Sequence, residues 1–185
     1  MFDLDPVSGA IVLSRGASAA TLAAACLCAA GTDRPPRGPR LARLTARLAL
    51  PGDFTVTLAG ARIEALDERV ILTRDAGEAA RGGLAPIALN PSTPTVWDGR
   101  YELTAHSAGL TVRPLKGLAA RLSAPEKRRL QTLPASARGG LPAIVNLSGT
   151  MICPILAEAP DVRIRVLSGE RFRAAIGLVE RESGA

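Results

Sequence analysis

FTVTLAGARIEALDERVILTR, residues 54–74, is the stretch whose reading decides the fold. Phe54, Val56 and Leu58 alternate with Thr55 and Thr57. Gly60 breaks the alternation, and Ala61-Arg62-Ile63-Glu64-Ala65 resumes it. Asp67-Glu68-Arg69 then turns the chain into Val70-Ile71-Leu72-Thr73-Arg74. A period of two places alternate side chains on one face, so the stretch reads as a meander of three short strands.

On the amino-terminal side, Val7 to Leu13 reads as a short extended pair turned by Ser8-Gly9. A helix follows from an N-cap at Ser18 to about Ala30, with Gly31 as its stop. Arg34-Pro35-Pro36-Arg37-Gly38 is a rigid extended connection, because proline disfavours helix at the residue before it. Pro39 suits the first turn of a second helix running to about Leu50. On it Leu41, Leu44 and Leu48 form an apolar stripe, and Arg40, Arg43 and Arg47 form a parallel one about 100° away.

On the carboxy-terminal side, residues from about Asp75 to Pro94 read as a loop. Gly82-Gly83, Pro86, Pro91 and Pro94 punctuate it. Trp97-Asp98-Gly99-Arg100 leads into a strand from Tyr101 to Ala105, and another near Leu110 to Arg113 stops at Pro114. Leu115 to Leu122 reads as a short helix. Ser123 and Glu126 then form a capping box, with Pro125 in the first turn of a helix to about Leu133. Strands are expected at Ala143–Leu147, Thr150–Cys153 and Val162–Leu167, with a final segment from Phe172 to Val179. The expected class is α+β, a helical segment plus a small antiparallel sheet, followed by a mixed α/β carboxy-terminal module. The expected division is 1–80, a linker at 81–95, and 96–185.

A chain of 185 residues buries roughly 70% of its unfolded surface, so neither disulfide nor metal is needed to hold it. Only 3% of residues are aromatic, too few for a platform that stacks single-stranded bases. Cys26 and Cys28 lie two apart in a helix, Cys153 stands alone, and His106 is the single histidine. No spacing suits zinc, and core packing is the expected role of the thiols. Asp3, Asp5 and Arg15 disagree with a signal peptide, and no run approaches the roughly 20 apolar residues of a membrane span. A soluble cytoplasmic setting is expected.

No GxxxxGK[ST] or GxGxxG loop is present, and Leu147-Ser148-Gly149-Thr150 reads as a plain turn. His106 lacks the motif of a Ser-His-Asp centre, and the acids form no metal cluster. No catalytic residue is assigned and no cofactor or metal is expected in this chain. Charge is the informative feature, with 23 Lys+Arg against 17 Asp+Glu and only two lysines. Arg34 to Arg47 contains five arginines and no acid, and Arg113 to Arg138 contains seven basic residues against Glu126 alone. Arg163, Arg165, Arg171 and Arg173 form a third cluster. Such runs draw a polyanion through phosphate contacts without reading sequence. Solvated helix faces and a GC-rich codon bias are the plainer alternatives. The candidate phosphate-contacting set is Arg37, Arg40, Arg43, Arg47, Arg113, Lys116, Arg121, Lys127, Arg128, Arg129 and Arg138.

The order of these motifs resembles the carboxy-terminal half of alphaproteobacterial tRNA(Ile)-lysidine synthetases. The resemblance runs through Arg34-Pro35-Pro36-Arg37, the Thr57-Leu58-Ala59-Gly60 hairpin, Arg74-Asp75 and Trp97-Asp98-Gly99-Arg100. It continues through Val112-Arg113-Pro114-Leu115, the capped Ser123 helix, Leu133-Pro134, Arg138 and Leu141-Pro142-Ala143. Ala61 and Asp75 depart from it, where a cysteine and a glutamate are expected.

The resemblance implies a part in converting the wobble cytidine of the CAU-anticodon isoleucine tRNA to lysidine. The family uses ATP to adenylate the cytosine, after which the lysine amine displaces AMP. That chemistry belongs to an amino-terminal ATP-pyrophosphatase domain with an SGGxDS loop, absent from this sequence, whose ATP that domain would bind. The implied partners are the tRNA and a separate ATP-pyrophosphatase domain, with no membrane, and the implied origin is a split or truncated synthetase or one with a misplaced start. A structural or protein-interaction module, or a remnant without activity, is the alternative; an autonomous enzyme is the third reading.

Overall fold

The structure is a computed structural model that describes residues 1–81 and 83–178. Its first part contributes β1 (Phe2–Leu4), β2 (Ile11–Ser14), α1 (Ala19–Ala30), α2 (Gly38–Leu48), β3 (Phe54–Leu58), β4 (Ala61–Leu66) and β5 (Arg69–Arg74). The expected meander is β3, β4 and β5, and β1 and β2 extend it to an antiparallel sheet in the order β1-β2-β5-β4-β3. The register shows why the alternation matters. Leu4, Ile11, Leu72, Ile63 and Val56 lie side by side across all five strands, forming an apolar row toward the core.

The amino-terminal pair differs from the sequence reading, since its strands begin at Phe2 and Ile11 with a wide loop between them. Asp5 organises that loop. Its backbone exchanges hydrogen bonds with Ala10 and Gly9 at 2.9 Å, and its carboxylate accepts from Val7 N–H and the Ser8 hydroxyl.

Helix α1 begins where Ser18 Oγ accepts the Thr21 N–H at 3.1 Å and ends at Gly31 in the left-handed conformation, φ 67°. It is buried on most sides, with Leu22, Ala25, Cys26, Cys28, Ala29 and Ala30 inside. Small side chains suit a helix that touches the sheet, α2 and a carboxy-terminal helix together.

The remainder contains β6 (Ile87–Leu89), β7 (Thr95–Trp97), β8 (Tyr101–Ala105), β9 (Leu110–Pro114), α3 (Ala124–Thr132), α4 (Ala135–Arg138), β10 (Pro142–Val145), β11 (Met151–Ile152), β12 (Val162–Val166) and α5 (Ser168–Ala175). They form two further antiparallel sheets, β11-β10-β9-β6 and β12-β8-β7. The class is α+β, as expected.

Two local readings are corrected. The stretch from Asp75 to Pro94 is not a plain loop: it holds a 3-10 turn at Ala76–Arg81 and the strand β6, which pairs with β9, while Leu84 and Leu89 are buried. The stretch 115–122 forms only a 3-10 turn at Ala119–Arg121, because Gly117 sits at φ 81° and breaks any helix there. Gly82 and Val179, which bear on the expected loop and final segment, lie outside the described residues.

Helix α5 brings the chain back to the first core. Phe172 is fully buried against α1's cluster and meets Phe2 edge-on at 5.2 Å between ring centroids.

All three cysteines are buried and unpaired. Burial pushes the thiols of Cys26 and Cys153 up to about 12, and that of Cys28 up to about 11 against the opposing pull of Arg171. Below pH 9 a thiol with such values is neutral in both states, so its contribution to stability is fully present. As pH rises past 9 the unfolded chain ionises first, and the contribution is lost on the way toward 12. Stability is therefore expected to hold to about pH 8 and to fall by roughly 1 kcal/mol per thiol near pH 10. The Tyr101 phenol, raised by burial, acts in the same sense. Urea unfolding at the two pH values checks this, and equal midpoints at pH 8 and 10 would contradict it.

Candidate nucleic-acid interface

The amphipathic pattern of α2 sets up the site. Leu44 and Leu48 point into the core, which leaves Arg40, Arg43 and Arg47 exposed on the neighbouring stripe. Opposite them lie the edge strand β3 and the tight Leu58–Ala61 turn, with Ala59 at φ 51° and Gly60 at φ 82°. Between these elements runs an open groove of about 780 Å³. Arg34, Arg40, Arg43, Arg47 and Arg74 line it, against Asp33 and Glu78 as the acids. The cations exceed the acids by five to two. The arrangement can hold a chain of phosphates.

The groove's cations are held differently. Arg40 and Arg43 carry no side-chain hydrogen bond among the described residues. Arg47 lies over the Phe54 ring, its guanidinium carbon 4.5 Å from the ring centroid. Arg74 belongs to a buried network. Asp98 accepts from Arg74 NH2 at 2.8 Å and Nε at 3.1 Å, and from Arg100 Nε at 2.8 Å. Arg100 reaches on to the Gly140 carbonyl at 2.7 Å, and Arg74 to the Gly60 carbonyl at 3.3 Å. One aspartate thus joins the end of β5, the β7–β8 turn and the entry to β10.

Beside this network Gly31 and Gly99 meet backbone to backbone. A Cβ on Gly31 would lie 1.8 Å from the Asp98 carbonyl oxygen, and one on Gly99 would lie 2.0 Å from that of Gly31. Both residues have positive φ, so glycine is required twice over. Arg171 closes the corner by donating to the carbonyls of Gly99 and Thr32.

The other candidate cations do not line the groove. Arg37 is the exposed N-cap residue of α2. Arg113 is exposed on β9, and Lys127 and Arg128 are exposed on α3. Four members of the second cluster serve the fold through backbone carbonyls. Lys116 donates to Ala76 at 3.3 Å, Arg121 to Gly149, and Arg129 to Leu156 at 2.7 Å. Arg138 satisfies the last carbonyls of α3, donating to Leu133 at 3.1 Å and Gln131 at 3.0 Å. In the third cluster Arg165 pairs with Glu170 at 3.2 Å and Glu102 at 3.8 Å.

Counting charge along the sequence leaves Arg74 out of every cluster and misses Asp98 as its anchor, while Arg34 is in the first cluster but not in the candidate set. The usable signal is the pairing of Arg74-Asp75 with Trp97-Asp98-Gly99-Arg100 within one motif order. Among the described residues no group of three or more His, Cys, Asp and Glu is placed to hold a metal ion, and no helix is long and apolar enough to cross a membrane.

Over 99% of its length the chain is 47% identical to a tRNA(Ile)-lysidine synthase of Caulobacter vibrioides. It spans 46% of that relative's length. The family resemblance carried by the order of motifs is borne out by this relative. No family model and no solved structure matches the chain.

Proposed function

We propose that this chain, similar along nearly its whole length to part of a tRNA(Ile)-lysidine synthase, is the tRNA-holding portion of such an enzyme. The α2–β3 groove is where the sugar-phosphate backbone of the tRNA lies, and the exposed Arg113, Lys127 and Arg128 extend the contact. The substrate is the isoleucine tRNA with a CAU anticodon. ATP-dependent attachment of lysine to its wobble cytidine is the activity of the whole enzyme.

The observation that carries this reading is the arginine-lined groove in a relative of a tRNA-modifying enzyme. Arginine's planar fork matches phosphate geometry, and contacts of this kind hold and orient the nucleic acid without reading its bases.

Fluorescence anisotropy with labelled isoleucine CAU tRNA tests the reading. The four groove arginines outside the Asp98 network alone give a slope of roughly −3.5 in log K against log salt, hence at least about a hundredfold loss of affinity between 50 and 200 mM salt. Absence of binding at 50 mM salt would overturn it.

A second reading, as a protein-interaction module, is favoured by one feature. Residues 83–97 carry no charged side chain, and Ile87 and Val96 are exposed there. A chain that binds a protein but no tRNA would support that reading instead.

A further inference from the structure

Phe54 packs against the first core and also carries two arginines on its ring. The chain has three phenylalanines, and this one sits half-buried at the start of edge strand β3. Two guanidiniums lie against its ring, that of Arg47 at 4.5 Å and that of Arg15 at 5.9 Å from the centroid. Arg15 is fixed from below by the β-turn backbones around it. It donates to the carbonyls of Leu50 at 2.9 Å, Gly52 at 2.7 Å and Asp67, and stands 3.6 Å from the Asp53 carboxylate. Arg47, by contrast, makes no hydrogen bond or ion pair among the described residues and lines the groove. Its one described partner is the ring.

We infer that Phe54 is a positioning residue for the groove, its ring holding the Arg47 guanidinium in place before RNA arrives. This rests on the tRNA-holding reading. An arginine side chain loses much rotational freedom when it settles on a phosphate, and a prior stack on an aromatic face reduces what is lost at that moment. Arg47 makes no hydrogen bond among the described residues, so its N–H groups remain available to donate. The place of Arg47 in the last turn of α2, where the helix carries partial negative charge, further steadies its cation. Arg40 and Arg43 have no such support among the described residues, so of the three α2 cations one is preset and two adapt.

The ring acts through Arg47 and carries no charge itself. Phe54→Leu is therefore expected to weaken tRNA binding about threefold, the size of an exposed cation–π contact, while leaving the salt slope as in the parent. Arg47→Ala is expected to weaken binding and also to make the slope shallower by about one. In the double variant the Leu substitution adds no further loss, because its only route is gone. Phe54→Tyr restores parental affinity by restoring the face.

Anisotropy titrations of the four variants with labelled isoleucine CAU tRNA, each checked for folding by circular dichroism, decide the matter. If Phe54→Leu does not fold, Phe54→Met replaces it in the same cycle. Failure of the parent chain to bind would sink the tRNA reading itself. A binding parent whose Phe54→Leu variant matches it, or whose two losses simply add, would overturn the positioning role alone.

Discussion

Replacing Asp98 by alanine is expected to destabilise the fold by about 3–5 kcal/mol, because it leaves two buried guanidiniums without their common anion. The Asp98 side chain is only 4% exposed, and its partners Arg74 and Arg100 are 6% and 3% exposed. Water therefore screens little of the repulsion that remains. The alanine also has to adopt the left-handed conformation that Asp98 holds at φ 51°, which adds strain. Asp98→Asn separates the two effects. Asparagine tolerates that backbone and keeps one oxygen acceptor, but it loses the charge and turns an amide N–H donor toward an arginine. Urea unfolding is expected to rank parent, Asn variant and Ala variant in falling order of stability. A loss below about 1 kcal/mol for Asp98→Ala would mean that the network does not hold the β5 end, the β7–β8 turn and β10 together.

That network marks the limit of what the sequence discloses. Features set by neighbouring residues were legible. The alternation over Phe54–Arg74, the Ser18 and Ser123 caps, the Gly31 stop and the Leu44/Leu48 stripe all appear where expected. Features set by distant partners were not. Strand β6 lies in a proline-rich run and becomes a strand only because β9 pairs with it. The wide loop after β1 depends on Asp5 reaching Ser8 and Ala10, which no local turn signal reveals.

The candidate site divides in the same way. Arg40, Arg43 and Arg47 were readable as one face of a helix, and the groove confirms their common side. Lys116, Arg121, Arg129 and Arg138 looked equivalent to them in a count of charges. Their side chains reach backbone carbonyls, at Ala76 and Leu156 for Lys116 and Arg129. An arginine that satisfies a carbonyl and one that faces solvent are identical in sequence. Only the packing of elements far apart in the chain separates them.

The second large effect is expected from Arg40→Ala, Arg43→Ala and Arg47→Ala combined. These side chains are exposed and on the polar stripe of α2, so their loss leaves the Leu44 and Leu48 packing intact. Alanine is the better helix former, and circular dichroism is expected to match the parent. Binding, however, loses three phosphate contacts in one groove. Affinity for isoleucine CAU tRNA at 50 mM salt is expected to drop by about two orders of magnitude, similarly for other tRNAs, because phosphate contacts carry no sequence information. The same substitutions made at Arg113, Lys127 and Arg128 are expected to have the smaller effect, since those residues do not share a groove.

The salt dependence of the triple α2 variant beside the parent is the most direct test of the central claim. The slope of log K against log salt is expected to become shallower by about 2 to 3. A triple variant that binds with the parent's slope would place the RNA elsewhere on the chain and contradict the account.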